Sequence, residues 1–208
     1  MGSCCHDKAC ALDALREKQG RILRIVLAIN VVLFLVELTA GIIASSTSLM
    51  ADSLDSLGDA LVYAFSLHVL FRNARWKAGA ALIKGMIMLG FGIAITVALI
   101  DRALTPVVPV AEMIGGFGIF ALACNLACLV LLTRHRGDDI NMESVWLCSR
   151  NDIIANVGVI FASLGVAWTG SMWPDFLVGS VIAAIFLRSS FYVVSRALQE
   201  LRRAAAPA

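Results

Sequence analysis

The sequence predicts an all-α membrane protein with six transmembrane helices and both termini in the cytoplasm. Three observations carry that prediction. Hydrophobic residues make up 60% of the 208, against roughly 45–50% in soluble domains, and the mean hydropathy is +0.86. The apolar residues fall into six runs near the ~20 residues that cross a bilayer core. Lys and Arg gather in alternate connections, all on one side. The net charge of +2 gives no reason to expect a nucleic-acid partner.

The six helices are expected over about 22–44, 47–71, 78–100, 110–132, 143–168 and 174–195. Turn chemistry separates them. Ser45 to Ser48 divides the first pair, and Arg72 to Lys77 divides the second helix from the third. Pro106 and Pro109 break the third connection. Arg134 to Asp139 forms the fourth, and Thr169 to Pro174 the last.

Orientation follows from the basic residues. The arm before the first helix holds Lys8, Arg16, Lys18, Arg21 and Arg24. The connection after the second helix holds Arg72, Arg75 and Lys77, and the one after the fourth holds Arg134 and Arg136. The tail holds Arg196, Arg202 and Arg203, whereas the opposite loops contain only Arg102. By the positive-inside rule both termini are cytoplasmic. The expected organisation is an arm over 1–21, a six-helix membrane domain over 22–198 and a short tail over 199–208, in a multi-pass protein of the inner (plasma) membrane. No cleavable signal peptide is expected, because the first apolar run is too long for one.

Two ladders of polar residues interrupt the apolar helices. The second helix carries Asp52, Asp55 and Asp59, and the fifth carries Cys148, Asp152 and Asn156. Steps of three and four place each ladder on one helical face. An aspartate at the centre of a spanning helix costs about 2.5–3.5 kcal/mol, so three of them point to a site. Carboxylates with a thiol are metal ligands. Packing the two antiparallel faces together sets Asp55 against Asp152 and Asp59 against Cys148, with about 6 Å per ladder step. Four ligands in so small a cage suit a tetrahedral divalent ion. Asp52 lies nearer the outer mouth, as an outer ligand or as a helix-packing acceptor.

This pattern resembles the cation diffusion facilitator family of divalent-metal/proton antiporters. Asp55-Ser-Leu-Gly-Asp59, in the context Ser48-Leu-Met-Ala-Asp-Ser-Leu-Asp55, is similar to the second-helix motif of that family. Cys148-Ser-Arg-Asn-Asp152 followed by Val157-Gly-Val159 is similar to its fifth-helix motif, and Pro174 to Gly179 loosely resembles its sixth-helix opening. The resemblance covers about residues 20–198. It implies efflux of zinc, cadmium or cobalt from the cytoplasm in exchange for protons, with the metal as cargo and no cofactor. Most of the family carries a soluble domain after the sixth helix, so a short form is expected here, a homodimer held through its membrane helices.

The departure from the family is Cys148, where histidine is usual. A thiolate would favour zinc and cadmium over manganese or magnesium. The alternative is a packed bystander, with Asn151, Asn156 or water completing the shell. In the arm, Cys4, Cys5, His6 and Cys10 make a compact soft-ligand cluster that would capture metal on the cytoplasmic side. Cys124 and Cys128 read as core packing rather than as a second soft site. Glu37 reads either as a proton relay or as the partner of Arg150. Two other functions fit parts of the pattern. One is a metal-dependent phosphatidyltransferase, whose upstream Asp-Gly…Ala-Arg stretch is missing before Asp55. The other is a metal-sensing membrane protein without transport.

Overall fold

The computed structural model describes residues 3–69, 74–134 and 140–205, and no strand occurs among them. Six helices follow in order: α1 (Ser3–Ala44), α2 (Thr47–Val69), α3 (Ala74–Leu104), α4 (Ala111–Thr133), α5 (Ile140–Thr169) and α6 (Trp173–Ala205). Among the described residues, five segments are long and apolar enough to cross a membrane: Gly20–Ala44, Gly85–Leu104, Ala111–Thr133, Asp152–Thr169 and Trp173–Arg202. At 23 residues α2 has the length. It lacks the apolarity, because Asp52, Asp55 and Asp59 all fall inside any stretch of it long enough to cross.

Several helices run past the limits expected from hydropathy. The backbone of α1 is helical from Ser3, so the first part of the arm continues the helix, and α6 continues to Ala205. Beyond the apolar windows the chain is rich in Ala, Leu, Glu, Lys, Arg and Gln, all strong helix formers, with no proline to stop it.

The turns have identifiable causes. Ser45 adopts φ +58°, and the Ser46 N–H donates to the Gly41 carbonyl at 2.8 Å. This left-handed cap ends α1 and reverses the chain into α2. Gly170 does the same for α5, at φ +60°, with its N–H on the Val166 carbonyl at 2.8 Å. Pro174 sits in the first turn of α6, where its missing N–H costs nothing. The Val110 N–H donates to the Ala44 carbonyl at 3.1 Å, which fastens the α3–α4 connection to the end of α1.

α1 packs chiefly on α2, α3 on α6 and α4 on α5, while α2 touches every other helix. The α3–α6 pairing is close. A Cβ at Gly85 would lie 2.8 Å from Val194, and one at Gly92 would lie 2.6 Å from Leu187. Small residues serve this purpose between membrane helices, where packing rather than water exclusion drives association. Leu49, Leu54, Ile114, Val159, Ile182 and Phe186 fill the main core. The exterior is also apolar, with Ile43, Val97, Val130, Phe161, Leu164 and Ile185 all exposed. A soluble monomer rarely exposes so much apolar surface; a bilayer covers it.

Candidate functional site

Helical spacing on α2 sends its polar residues two ways. Asp55 and Asp59 join Asp152 of α5 in lining a cavity of about 760 Å³. Met88 of α3 and Ile182 and Phe186 of α6 supply apolar wall to the same cavity. Asp55 is half-buried and Asp59 buried. Asp59 acts electrostatically on Asp152 across this cavity. Asp55 and Asp52 also act electrostatically on Asp152. Carboxylates this close in an apolar setting repel one another, and a cation or protons must compensate them.

Asp152 thus faces both Asp55 and Asp59 across the cavity. The backbone of Cys148 belongs to α5, but its side chain lies outside the described residues. So do the side chains of Cys4, Cys5, His6 and Cys10 on the first turns of α1. Among the described residues no three His, Cys, Asp or Glu side chains form a closed metal cage. The three carboxylates share a cavity without converging on one point.

Asp52 and Asn156 do not line this cavity. Asp52 is buried and accepts a long hydrogen bond of 3.5 Å from Asn156 Nδ2, which also donates to the Asp152 carbonyl at 2.8 Å. Asp52 interacts electrostatically with Glu37 of α1. Glu37 Oε2 accepts from Ser56 Oγ at 2.8 Å. Among the described residues, Glu37 Oε1, Asp52 Oδ2 and Asn156 Oδ1 are buried acceptors with no hydrogen-bond donor. The expected pairing of Glu37 with Arg150 is not formed. Arg150 is exposed, with its guanidinium 5.6 Å from the Trp146 ring centroid, because a cation on the outer face of α5 finds an aromatic partner without burial. Cys128 packs among Leu23, Val26, Tyr63 and Leu132, in keeping with a core role.

Sequence reasoning passed over Tyr63. It is fully buried, and its hydroxyl donates to Asp59 Oδ2 one helical turn away. The signal was present, since Tyr63 is four positions after Asp59. A donor on one carboxylate oxygen fixes which oxygen faces the cavity, and such supporting contacts are typically worth 10–100-fold in metal affinity. Tyr63→Phe should leave the fold intact and weaken cadmium binding roughly 10-fold, read by isothermal titration. Unchanged affinity would reduce this bond to a packing detail.

The model of the cation efflux transmembrane domain matches residues 23–202. The cation efflux system protein CzcD of Alcaligenes sp. (strain CT14) is 24% identical over 195 residues, covering 87% of this chain and 61% of that protein. The zinc transporter ZitB of Escherichia coli (strain K12) is 25% identical over 182 residues, covering 80% of this chain and 58% of that protein. A cadmium, cobalt and zinc/H(+)-K(+) antiporter of Bacillus velezensis is 23% identical over 181 residues, with 80% and 58% covered. The chain thus spans about three fifths of the length of the curated relatives it matches.

Proposed function

The chain belongs to the cation efflux family, and from that premise we propose that it exports a divalent transition metal, zinc, cadmium or cobalt, from the bacterial cytoplasm in exchange for protons. The observation that carries this reading is the set of Asp55, Asp59 and Asp152 around one cavity within the membrane-spanning bundle. These three are the proposed metal-binding carboxylates, with Cys148 as the fourth donor and Asp52 and Asn156 in a supporting position. The full reading has six spanning helices, including the polar α2, and cytoplasmic termini. It takes the protein to be a homodimer in the inner membrane.

Coupling follows from the chemistry of the donors. Metal binds deprotonated carboxylate and thiolate, so protons and metal compete for the same atoms. In the proton-loaded arrangement the carboxyl groups of Asp55, Asp59 and Asp152 carry protons in place of metal. A metal ion arriving from the cytoplasm displaces protons, and protonation from the other side releases the metal. Access alternates as helices rock about a site near the midplane. Family membership favours transport over the phosphatidyltransferase reading.

The test is uptake into proteoliposomes with an acidic lumen, using zinc, cadmium, cobalt and manganese in turn. Cadmium and zinc should accumulate against their own gradients, and collapse of the pH gradient should stop them. The Bacillus velezensis relative is named for exchange against both H(+) and K(+), so a potassium gradient is imposed separately. Flux indifferent to both gradients would refute antiport. The arm cluster is proposed to capture metal ahead of the site. Deleting residues 2–10 should raise the KM for cadmium a few-fold and leave the maximal rate unchanged; complete loss of flux in the folded deletion would make the arm obligatory.

A further inference from the structure

At the end of the bundle away from the termini, Asp175 in the first turn of α6 reaches across to the start of α2. It is 1% exposed and accepts five hydrogen bonds. Its Oδ1 accepts from Ser46 Oγ at 2.6 Å, from the Ser48 N–H at 3.2 Å and from Ser48 Oγ at 2.6 Å. Its Oδ2 accepts from the Thr47 N–H at 2.6 Å and from Thr47 Oγ1 at 2.8 Å. The carboxylate of one helix therefore caps the N-terminus of another, where free N–H groups and the helix dipole both favour an anion. Gly179, one turn further along α6, lets the two backbones meet. A Cβ there would lie 2.6 Å from the Thr47 carbonyl carbon and 2.9 Å from the Ser48 nitrogen.

The rest of α6 is attached differently. Below Asp175 the cavity wall follows α6 from Leu177 to Val193, facing Asp55, Asp59 and Val62 of α2. Beyond Gly179 the contacts of α6 with α2 are apolar, as where Phe186 comes within 3.4 Å of a Cβ placed on Gly58, while Gly85 and Gly92 bring α3 close to α6. The α3–α6 pair is thus fastened to the carboxylate-bearing α2 by polar bonds at one end, and by apolar contacts beside the cavity further along.

We propose that Asp175 is a positioning residue: it holds α2 to α6 at the end of the bundle away from the termini, fixing the height of Asp55 and Asp59 against the cavity wall and serving as the pivot about which the α3–α6 pair moves when the site changes access. This rests on the transport reading above. It adds a residue that touches no metal and yet governs the rate.

The experiment compares the full chain with Asp175→Asn, Asp175→Glu and the double variant Ser46→Ala/Ser48→Ala, all reconstituted. Cadmium flux, cadmium affinity by isothermal titration and hydrogen exchange of the 46–52 backbone amides are read on the same preparations. Asn cannot accept all five bonds, and its amide N–H would face the Thr47 and Ser48 donors. Asp175→Asn should speed exchange at those amides and lower the maximal flux at least about ten-fold, as loss of hydrogen bonds to a buried charge warrants. The cadmium Kd should move less than about three-fold, because no donor to the metal is removed. Asp175→Glu should recover part of the flux. The serine double variant keeps the backbone donors and the carboxylate, so it should show a smaller effect of the same kind, and it decides the matter if Asp175→Asn does not fold.

Normal flux per folded molecule in both Asp175→Asn and the serine variant would overturn the proposal. So would a fall in affinity as large as the fall in flux, which would place Asp175 in the metal site itself. A parent protein with no flux would refute the transport reading. The exchange data would still decide the clamp, since unchanged protection at 46–52 in the folded variants would refute it independently.

Discussion

Asp59→Ala and Asp152→Ala are each expected to abolish cadmium and zinc transport while leaving a folded protein. The two side chains face one another across α2 and α5, inside the cavity that Asp55 also lines. Removing a supporting contact around a metal ordinarily costs 10–100-fold in affinity, and removing a ligand should cost at least about 100-fold. The fold should survive, because an alanine at either position removes a costly buried carboxylate and not an apolar contact. Circular dichroism and gel filtration in detergent check folding, and proteoliposome uptake checks transport. Flux within about two-fold of the parent in either variant would take that residue out of the site. Asp59→Asn is a sharper form of the same test. It keeps the bond from Tyr63 but cannot release a proton to metal, so it should also be inactive.

The second large effect is expected at Cys148. Cys148 lies one helical turn before Asp152 on α5, within one turn of the carboxylate cavity. A thiolate donor there tilts preference towards soft ions. Cys148→Ser should therefore reduce cadmium flux about ten-fold or more and zinc flux less. Cys148→His should restore zinc transport, because imidazole fills the same corner of a tetrahedral shell. If the thiol only packs, Ser and Ala variants will move both ions like the parent. X-ray absorption on cadmium-loaded protein with Cys4, Cys5 and Cys10 changed to serine gives an independent reading: a shell without sulfur removes Cys148 as a ligand.

The helical bundle was legible because hydropathy reports apolar length directly. The same signal misplaced the ends of α1 and α6, where polar helix formers continue the backbone past the apolar window. The carboxylates of α2 were legible from spacing alone, since three and four residue steps put Asp55 and Asp59 on one face. Their partner across the interface was not. Spacing fixes which side of a helix a residue occupies but not the height at which two helices cross, so it could not choose between Asp55 and Asp59 as the neighbour of Asp152. Glu37 was expected to relay protons or to pair with Arg150. Its structural partner is a hydroxyl, Ser56, because Arg150 lies on the outward face of α5. Asp175 was hidden for a different reason. Its partners Ser46, Thr47 and Ser48 lie 127 to 129 residues away in sequence, and no local pattern announces a cap supplied by a distant helix.

The central claim is that metal and protons compete for the carboxylates of α2 and α5. Isothermal titration of cadmium into protein with Cys4, Cys5 and Cys10 changed to serine, repeated in buffers of different ionisation enthalpy, counts the protons released as metal binds. The account predicts release of about one proton or more per ion at neutral pH, affinity that falls as the pH is lowered, and no binding at this site after Asp59→Ala or Asp152→Ala. Binding that releases no protons, or that persists at parental affinity in both alanine variants, would contradict it.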